Sequence, residues 1–219
     1  MSEKSLKLEM DIKVVLLGES GVGKSSLILR YTKNIFTHNH VSTILCTFTT
    51  KKVMFNEKLL SFNLWDTAGQ EKFRSIAQMH YKDAGVVILV FDITRQDSFE
   101  SIKNYWYPQV KEKAPQNAII ALIASKCDLK SKIEVDLEEV KSYAEDIGLI
   151  FKETSSLNNS GINELFEEIG KKILSYENFQ DIINERHYSQ TSNIVKIESS
   201  EFSDGSNTIK DDGNINKCC

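Results

Sequence analysis

Apolar residues fall into two rhythms along the chain. Short runs rich in Val, Ile, Leu and Phe, at 12–17, 86–91 and 118–124, have the length and composition of buried strands. A shorter run at 151–154 reads the same way, and Leu60, Phe62 and Leu64 alternate as a strand with one buried face. Between them the spacing changes to three and four. Phe99, Ile102, Trp106 and Val110 make one helical stripe, with Asp97 and Ser98 as its cap. Asp136, followed by Glu138 and Glu139, starts a second helix that Gly148 stops. Ile162, Leu165, Phe166, Ile169 and Ile173 line a third. Strands alternating with helices predict an α/β fold with a mainly parallel sheet covered on both faces. One exception is expected. The β-like runs 48–55 and 58–64 are separated only by Asn56 and Glu57, too short for a crossover. They predict a hairpin and, with it, one antiparallel edge strand in a six-stranded sheet.

Polar motifs follow the strands, and in open parallel sheets ligands sit beyond the carboxyl ends. The strand at 12–17 runs into Gly18, Glu19, Ser20, Gly21, Val22, Gly23, Lys24, Ser25 and Ser26, which fits G-x-x-x-x-G-K-[ST]. Glycines let consecutive N–H groups turn inward around a phosphate chain. Lys24 then reaches the β- and γ-phosphates, Ser25 ligates Mg²⁺, and the following helix N-terminus adds positive potential. A chance match in a Gly/Ser turn would not supply both the strand before it and the helix after it. Asp66 ends the strand expected beside this one, where a carboxylate can hold Mg²⁺ through water. Gly69 can offer its N–H to a γ-phosphate, and Gln70 can both accept from and donate to an attacking water. Thr43, between the first helix and the hairpin, has a hydroxyl that reaches the metal only when a γ-phosphate orders its loop.

Composition narrows the class. The 219 residues are 41% hydrophobic and 26% charged with net charge −4, which fits a soluble globular chain and implies no broad nucleic-acid surface. Residues 1–10 lack the apolar core of a signal peptide, and no apolar run is long enough to span a bilayer. Cys46 and Cys127 stand alone in strand-like contexts and read as plain small residues; no zinc-ligand spacing is present. After Tyr176 the composition shifts to Asn, Ser, Asp, Glu and Ile without a sustained period. Residues 177–219 therefore read as a tail, helical near its start and otherwise disordered, without a polybasic patch. The chain divides into an extension at 1–7, a domain at 8–176 and this tail.

Taken together, these motifs resemble the Ras superfamily of small GTPases, and within it the Rab group, over residues 8–176. Residues 18–25 resemble the family phosphate loop, Ser42, Thr43 and Ile44 its first switch, and residues 66–70 its second. Ser125, Lys126, Cys127 and Asp128 resemble the guanine-reading motif, and Thr154, Ser155 and Ser156 the last base-contacting loop. The strings 65–73 and 91–94 are Rab-like, and Pro115, Gln116 and Asn117 faintly resemble the early-endosomal branch.

The resemblance implies a P-loop G domain that binds GTP and GDP with Mg²⁺ held at Ser25, Thr43 and Asp66. Lys24 and Gln70 would be catalytic. Asp128 would accept from the guanine N1–H and amine, the Lys126 stem would lie along the base, and Phe36 would close over it. Ser155, Ser156 and Leu157 would form the last loop. Effectors would read Phe48, Trp65 and His80. Cys218 and Cys219 would each carry a geranylgeranyl group, two chains giving stable anchoring where one is marginal. The protein would be a monomer on the cytoplasmic face of intracellular, endosomal membranes, cycling with cytosol. Exchange factor, GTPase-activating protein, GDP-dissociation inhibitor or prenylation escort, and effectors would be its partners, with no nucleic acid among them. Hydrolysis would be slow alone, since no internal arginine finger is evident.

Five positions depart from the family. Ser125 replaces the usual Asn and has a shorter reach with one donor, so nucleotide binding is expected to weaken while Asp128 keeps the guanine preference. Ser156 and Leu157 replace Ala and Lys. Leu45 replaces Gly, and His80 replaces a Tyr on the effector face. Ser125 and Leu45 also allow a nucleotide-binding scaffold with little turnover, against which the intact Gln70 stands. A P-loop kinase acting on a metabolite would need an acceptor pocket and an Arg-rich lid, and the sequence has neither.

Overall fold

The first strand, β1 (Glu9–Leu17), sets the layering. Met10, Ile12, Val14 and Leu16 join one core, while Val15 and Leu17 join another on the opposite face. A strand buried on both sides needs helices on both sides. α1 (Lys24–Lys33) and α6 (Ile162–Ser175) cover the first face, with Tyr31 stacked on Phe166. The second face carries α2 (Arg74–Tyr81), α3 (Gln96–Ser101), α4 (Tyr107–Lys113) and α5 (Leu137–Asp146). The computed structural model describes residues 9–37, 43, 46–55, 57–69 and 74–176. The extension at 1–7, Ser42, Ile44, Leu45, Asn56, Gln70, the tail 177–219 and its Cys218 and Cys219 lie outside the described residues.

The sheet runs β2-β3-β1-β4-β5-β6, with β2 (Thr47–Phe55), β3 (Lys58–Asp66), β4 (Val86–Asp92), β5 (Ile119–Ser125) and β6 (Ile150–Thr154). β2 and β3 pair antiparallel from Thr47↔Asp66 to Phe55↔Lys58, and the other described pairs are parallel. The expected edge hairpin is therefore present. Register brings the strand ends together: Leu16 pairs with Asp66, Asp92 with Ser125, and Ser125 with Thr154. Every motif that follows a parallel strand thus opens on one edge.

Three local expectations change. α3, which carries Phe99 at the start of the first stripe, begins at Gln96, with Arg95 as N-cap and no side-chain cap. Ser98 sits inside the first turn, where its hydroxyl accepts from the Asp92 N–H and donates to the Arg95 carbonyl. Local bonding to the preceding turn has drawn it away from a capping role. The stripe from Phe99 to Val110 is buried throughout, but a π-helical turn (Ile102–Trp106) joins α3 to α4. Cys46 precedes β2, and Cys127 lies in the turn after β5, where its N–H donates to the Thr154 carbonyl; neither is in a strand. The Asp136 cap is as expected: its carboxylate accepts from the Glu138 and Glu139 N–H groups, and Gly148 follows the helix at φ +72°.

Candidate functional site

Where β1 ends, the chain must turn sharply past β4. Gly18 does so at φ +140°, and a Cβ there would stand 2.1 Å from the Val90 carbonyl oxygen, which no side chain tolerates. The loop closes on Gly23, the N-cap of α1, which offers no capping side chain. The first N–H groups of that helix are therefore left for a ligand, as an anion site requires. Lys24 is buried beneath the loop, its Nζ donating to the Gly18 and Glu19 carbonyls at 2.8 Å each. Burial pushes its pKa down to about 8, opposed by the carboxylates of Asp66 and Glu19. Arg95, at the start of α3, adds a smaller push in the same direction as burial. The Glu19 side chain turns away from the loop, accepting from Ser101 Oγ at 2.5 Å and Trp106 Nε1 at 3.4 Å. Val22 is wholly buried in the core, so only its backbone can face a ligand. Ser20 is half-buried in the same loop.

Beside Lys24, oxygen atoms converge. Ser25 Oγ and Thr43 Oγ1 are 2.7 Å apart, and Thr43 Oγ1 donates to Asp66 Oδ2 at 3.3 Å. Two hydroxyls and a buried carboxylate make an all-oxygen donor set that fits a hard divalent cation such as Mg²⁺. The segment after β3 passes directly over this point, anchored by Thr67 Oγ1 donating to the Leu16 carbonyl at 2.6 Å. A Cβ on Gly69 would meet the Glu19 backbone and Lys24 Nζ at 2.5 Å, so the bare backbone of Gly69 faces the loop.

A cavity of about 420 Å³ continues from the phosphate loop. Gly21, Gly23 and Ser26 line one side, and Phe36 with Thr37 another. Ser125, Lys126 and Asp128 face them, with Ser156 and Leu157 completing the wall. Ser125 is buried, and its hydroxyl donates to the Val22 carbonyl, tying this motif to the phosphate loop. Its single proton is then committed, leaving none for a base. Lys126 adopts a left-handed backbone at φ +63° and pairs with Asp92 Oδ2 at 2.5 Å. Asp92 is itself buried and accepts from Thr94. Ser155 does not line the cavity. It is fully buried, and its hydroxyl donates to Asp128 Oδ1 at 2.5 Å, holding that carboxylate from behind.

The aromatic face is separate. Trp65 lies between Phe48 and His80, with ring centroids at 5.1 and 5.0 Å, and Phe48 is 56% exposed. Lys13 sits over Trp65 and pairs with Asp83 at 2.6 Å. Burial first and Lys13 second lower the His80 pKa from 6.5, with Asp83 opposing. The folded protein therefore favours neutral His80, while the unfolded chain protonates as pH drops below 6.5. Stability falls with pH through that window. His80→Tyr is expected to flatten the decline of Tm between about pH 7 and pH 5. An unchanged slope would assign the decline to other groups.

Sequence reasoning missed the supporting residues. Asp92 as the partner of Lys126 was open to inference from its strand-end position. The Trp106 and Ser101 contacts to Glu19, and the reach of Arg30 to the Ser156 and Leu157 carbonyls, leave no local signature because 82 to 127 residues separate the partners.

Comparison with known proteins shows the family. Residues 13–175 match the Ras family. The mouse and human Ras-related protein Rab-31 are each 45% identical over 163 residues, 74% of this chain and 83% of theirs. Human Ras-related protein Rab-22A is 43% identical over 165 residues, 75% of this chain and 84% of its own. The chain therefore belongs to the Ras family of small GTPases, which bind and hydrolyse GTP, and within it to the Rab group beside Rab-31 and Rab-22A.

Proposed function

We propose that the protein is a membrane-anchored guanine-nucleotide switch that recruits effectors in vesicle traffic on endocytic membranes. The observation that carries it is the single cavity in which Asp128 stands across from Ser26 and Gly23 of the phosphate loop, beside the Ser25–Thr43–Asp66 oxygen cluster. Base and phosphates of one nucleotide fit that span. Asp128 accepts from the guanine donors, and adenine would leave the carboxylate unmatched. The loop N–H groups and Lys24 hold the β- and γ-phosphates. Mg²⁺ would be held by Ser25, Thr43 and Asp66 and would supply charge neutralisation at the phosphate oxygens. Gln70 orients water for attack on the γ-phosphorus, and the bond to the β–γ bridging oxygen breaks. Lys24 stabilises charge on the departing side. Loss of the γ-phosphate frees the Thr43 and Gly69 segments, and the effector face at Phe48, Trp65 and His80 changes with them.

Cys218 and Cys219 carry the prenyl groups that anchor the domain through its tail. Removing both is expected to move the protein from membranes to the soluble fraction of cells; persistent membrane association would overturn the anchor. Similarity to Rab-31 and Rab-22A supports the traffic role and partners of the kinds that Rab proteins use. The position of Ser125, with its proton committed to Val22, supports weakened guanine retention and keeps a low-turnover scaffold as the second reading.

One experiment separates them: identify the nucleotide that copurifies, then follow a single turnover of GTP. Bound GDP or GTP is expected, with phosphate release slowed at least about tenfold by Gln70→Leu through lost water positioning. Guanine binding without any phosphate release would favour the scaffold. Absence of guanine nucleotide at every Mg²⁺ concentration would overturn the guanine reading altogether.

A further inference from the structure

We propose that Arg30 is the positioning residue of the base pocket, holding Ser156 and Leu157 so that the Ser156 N–H meets the carbonyl oxygen of guanine. This rests on the guanine reading above and goes beyond it in naming the group that aims the loop.

Arg30 lies on α1, half-buried and outside the cavity. Its Nε donates to the Ser156 carbonyl at 2.7 Å and its Nη2 to the Leu157 carbonyl at 3.0 Å. Those two nitrogens form one edge of the planar guanidinium, so they fix two successive carbonyls relative to each other. The remaining nitrogen, Nη1, donates to the backbone and side-chain oxygens of Asn34 at 3.1 Å each. Asn34 is the left-handed C-cap of α1 at φ +55°, two residues before Phe36. Phe36 and Ser156 line the same cavity, so one guanidinium ties the Ser156 wall to the helix end from which the chain runs on to Phe36.

The loop's donors identify what is being aimed. The Ser155 N–H donates to the Ser160 carbonyl at 3.0 Å, and the Leu157 N–H to Ser155 Oγ at 3.2 Å. Among the described residues the Ser156 N–H engages no acceptor. Ser156 lines the same cavity as Asp128, whose carboxylate the Ser155 hydroxyl holds. Guanine presents its amine, its N1–H and its O6 in a row. A carboxylate satisfies the two donors, so the group next to it must donate to O6. Ser156 is the one residue of the three that has an N–H left to do so. Residues 155–160 include no basic side chain, so the cation that steadies this loop comes from α1.

The test compares GDP, IDP, 6-thio-GDP and ADP by competition binding in the full chain and in Arg30→Ala and Arg30→Lys. Sulfur at position 6 is the poorer acceptor, and IDP lacks the amine that Asp128 reads. With the N–H aimed, the full chain is expected to prefer GDP over 6-thio-GDP by about tenfold, the worth of one well-made hydrogen bond. Arg30→Ala should bring that ratio to within about twofold while leaving the IDP-to-GDP ratio unchanged. Arg30→Lys keeps the charge but not the fork, and should fall between them. If Arg30→Ala does not fold, the Lys variant gives the same readout. An unchanged 6-thio ratio overturns the proposal, as does an equal fall in both ratios accompanied by a lower Tm, which would make Arg30 a purely structural brace. A full chain that binds GDP and ADP equally would instead overturn the guanine reading on which the proposal rests.

Discussion

Replacing Asp128 with Ala is expected to lower GDP affinity by about 10³-fold and to leave ADP affinity within about twofold, because only guanine presents two donors to that carboxylate. Asp128 faces the cavity, while Ser155 Oγ holds its Oδ1 from the rear at 2.5 Å. The carboxylate is therefore fixed before any base arrives, and little ordering cost is left for binding. Titration of both diphosphates into the two proteins is the direct check. Parallel losses for GDP and ADP would show that Asp128 merely shapes the loop. The Ser155 hydroxyl would lose its acceptor in this variant, so Ser155→Ala is the control for the indirect effect.

Trp106→Ala is expected to cost about 3–5 kcal/mol of stability, the range for a large aromatic removed from a packed core. Trp106 is 1% exposed and closes the π-helical turn over the second core. For a chain of this size Tm should fall by about 6–20 °C. Its Nε1 also donates to Glu19, next to Gly18 of the phosphate loop. Trp106→Phe keeps most of the volume and removes the donor, so it should cost much less stability and still loosen the loop. Calorimetry with and without GDP distinguishes the two effects. A Phe variant with unchanged GDP-dependent stabilisation would confine Trp106 to packing.

The architecture was legible because it rests on periods that the chain states locally. The alternation of Leu60, Phe62 and Leu64 and the stripe from Ile162 to Ile173 can be read from adjacent residues, although both are buried in a core drawn from the whole chain. The phosphate loop was equally plain, since Gly18, Gly23, Lys24 and Ser25 stand at a fixed spacing within a few residues, although the contact that requires Gly18 comes from Val90 on β4. The cap at Asp97 and Ser98 failed because Ser98 found a nearer partner in the turn after β4. The π-helical turn escaped because spacings of three and four suit both an α-helix and one that takes an extra residue. Ser125 was expected to lose contacts, and its donation to Val22 shows where its one proton goes. The bracing of the cavity by Arg30 depends on partners more than 120 residues away, a distance no local pattern can carry.

The strand order divides the labour of the molecule. β1, which delivers the phosphate loop, lies inside the sheet; β5 and β6 with the base-reading loops lie to one side, and β3 and β2 with the Asp66 and Thr43 oxygens to the other. On the proposed function, the base-reading wing helps to retain the nucleotide, and the oxygen-bearing wing announces which one is bound. Ser125 and Leu157 alter the retaining wing, while the oxygen cluster of the announcing wing is untouched. A clock that runs faster but still tells the same two times is the expected product of that arrangement.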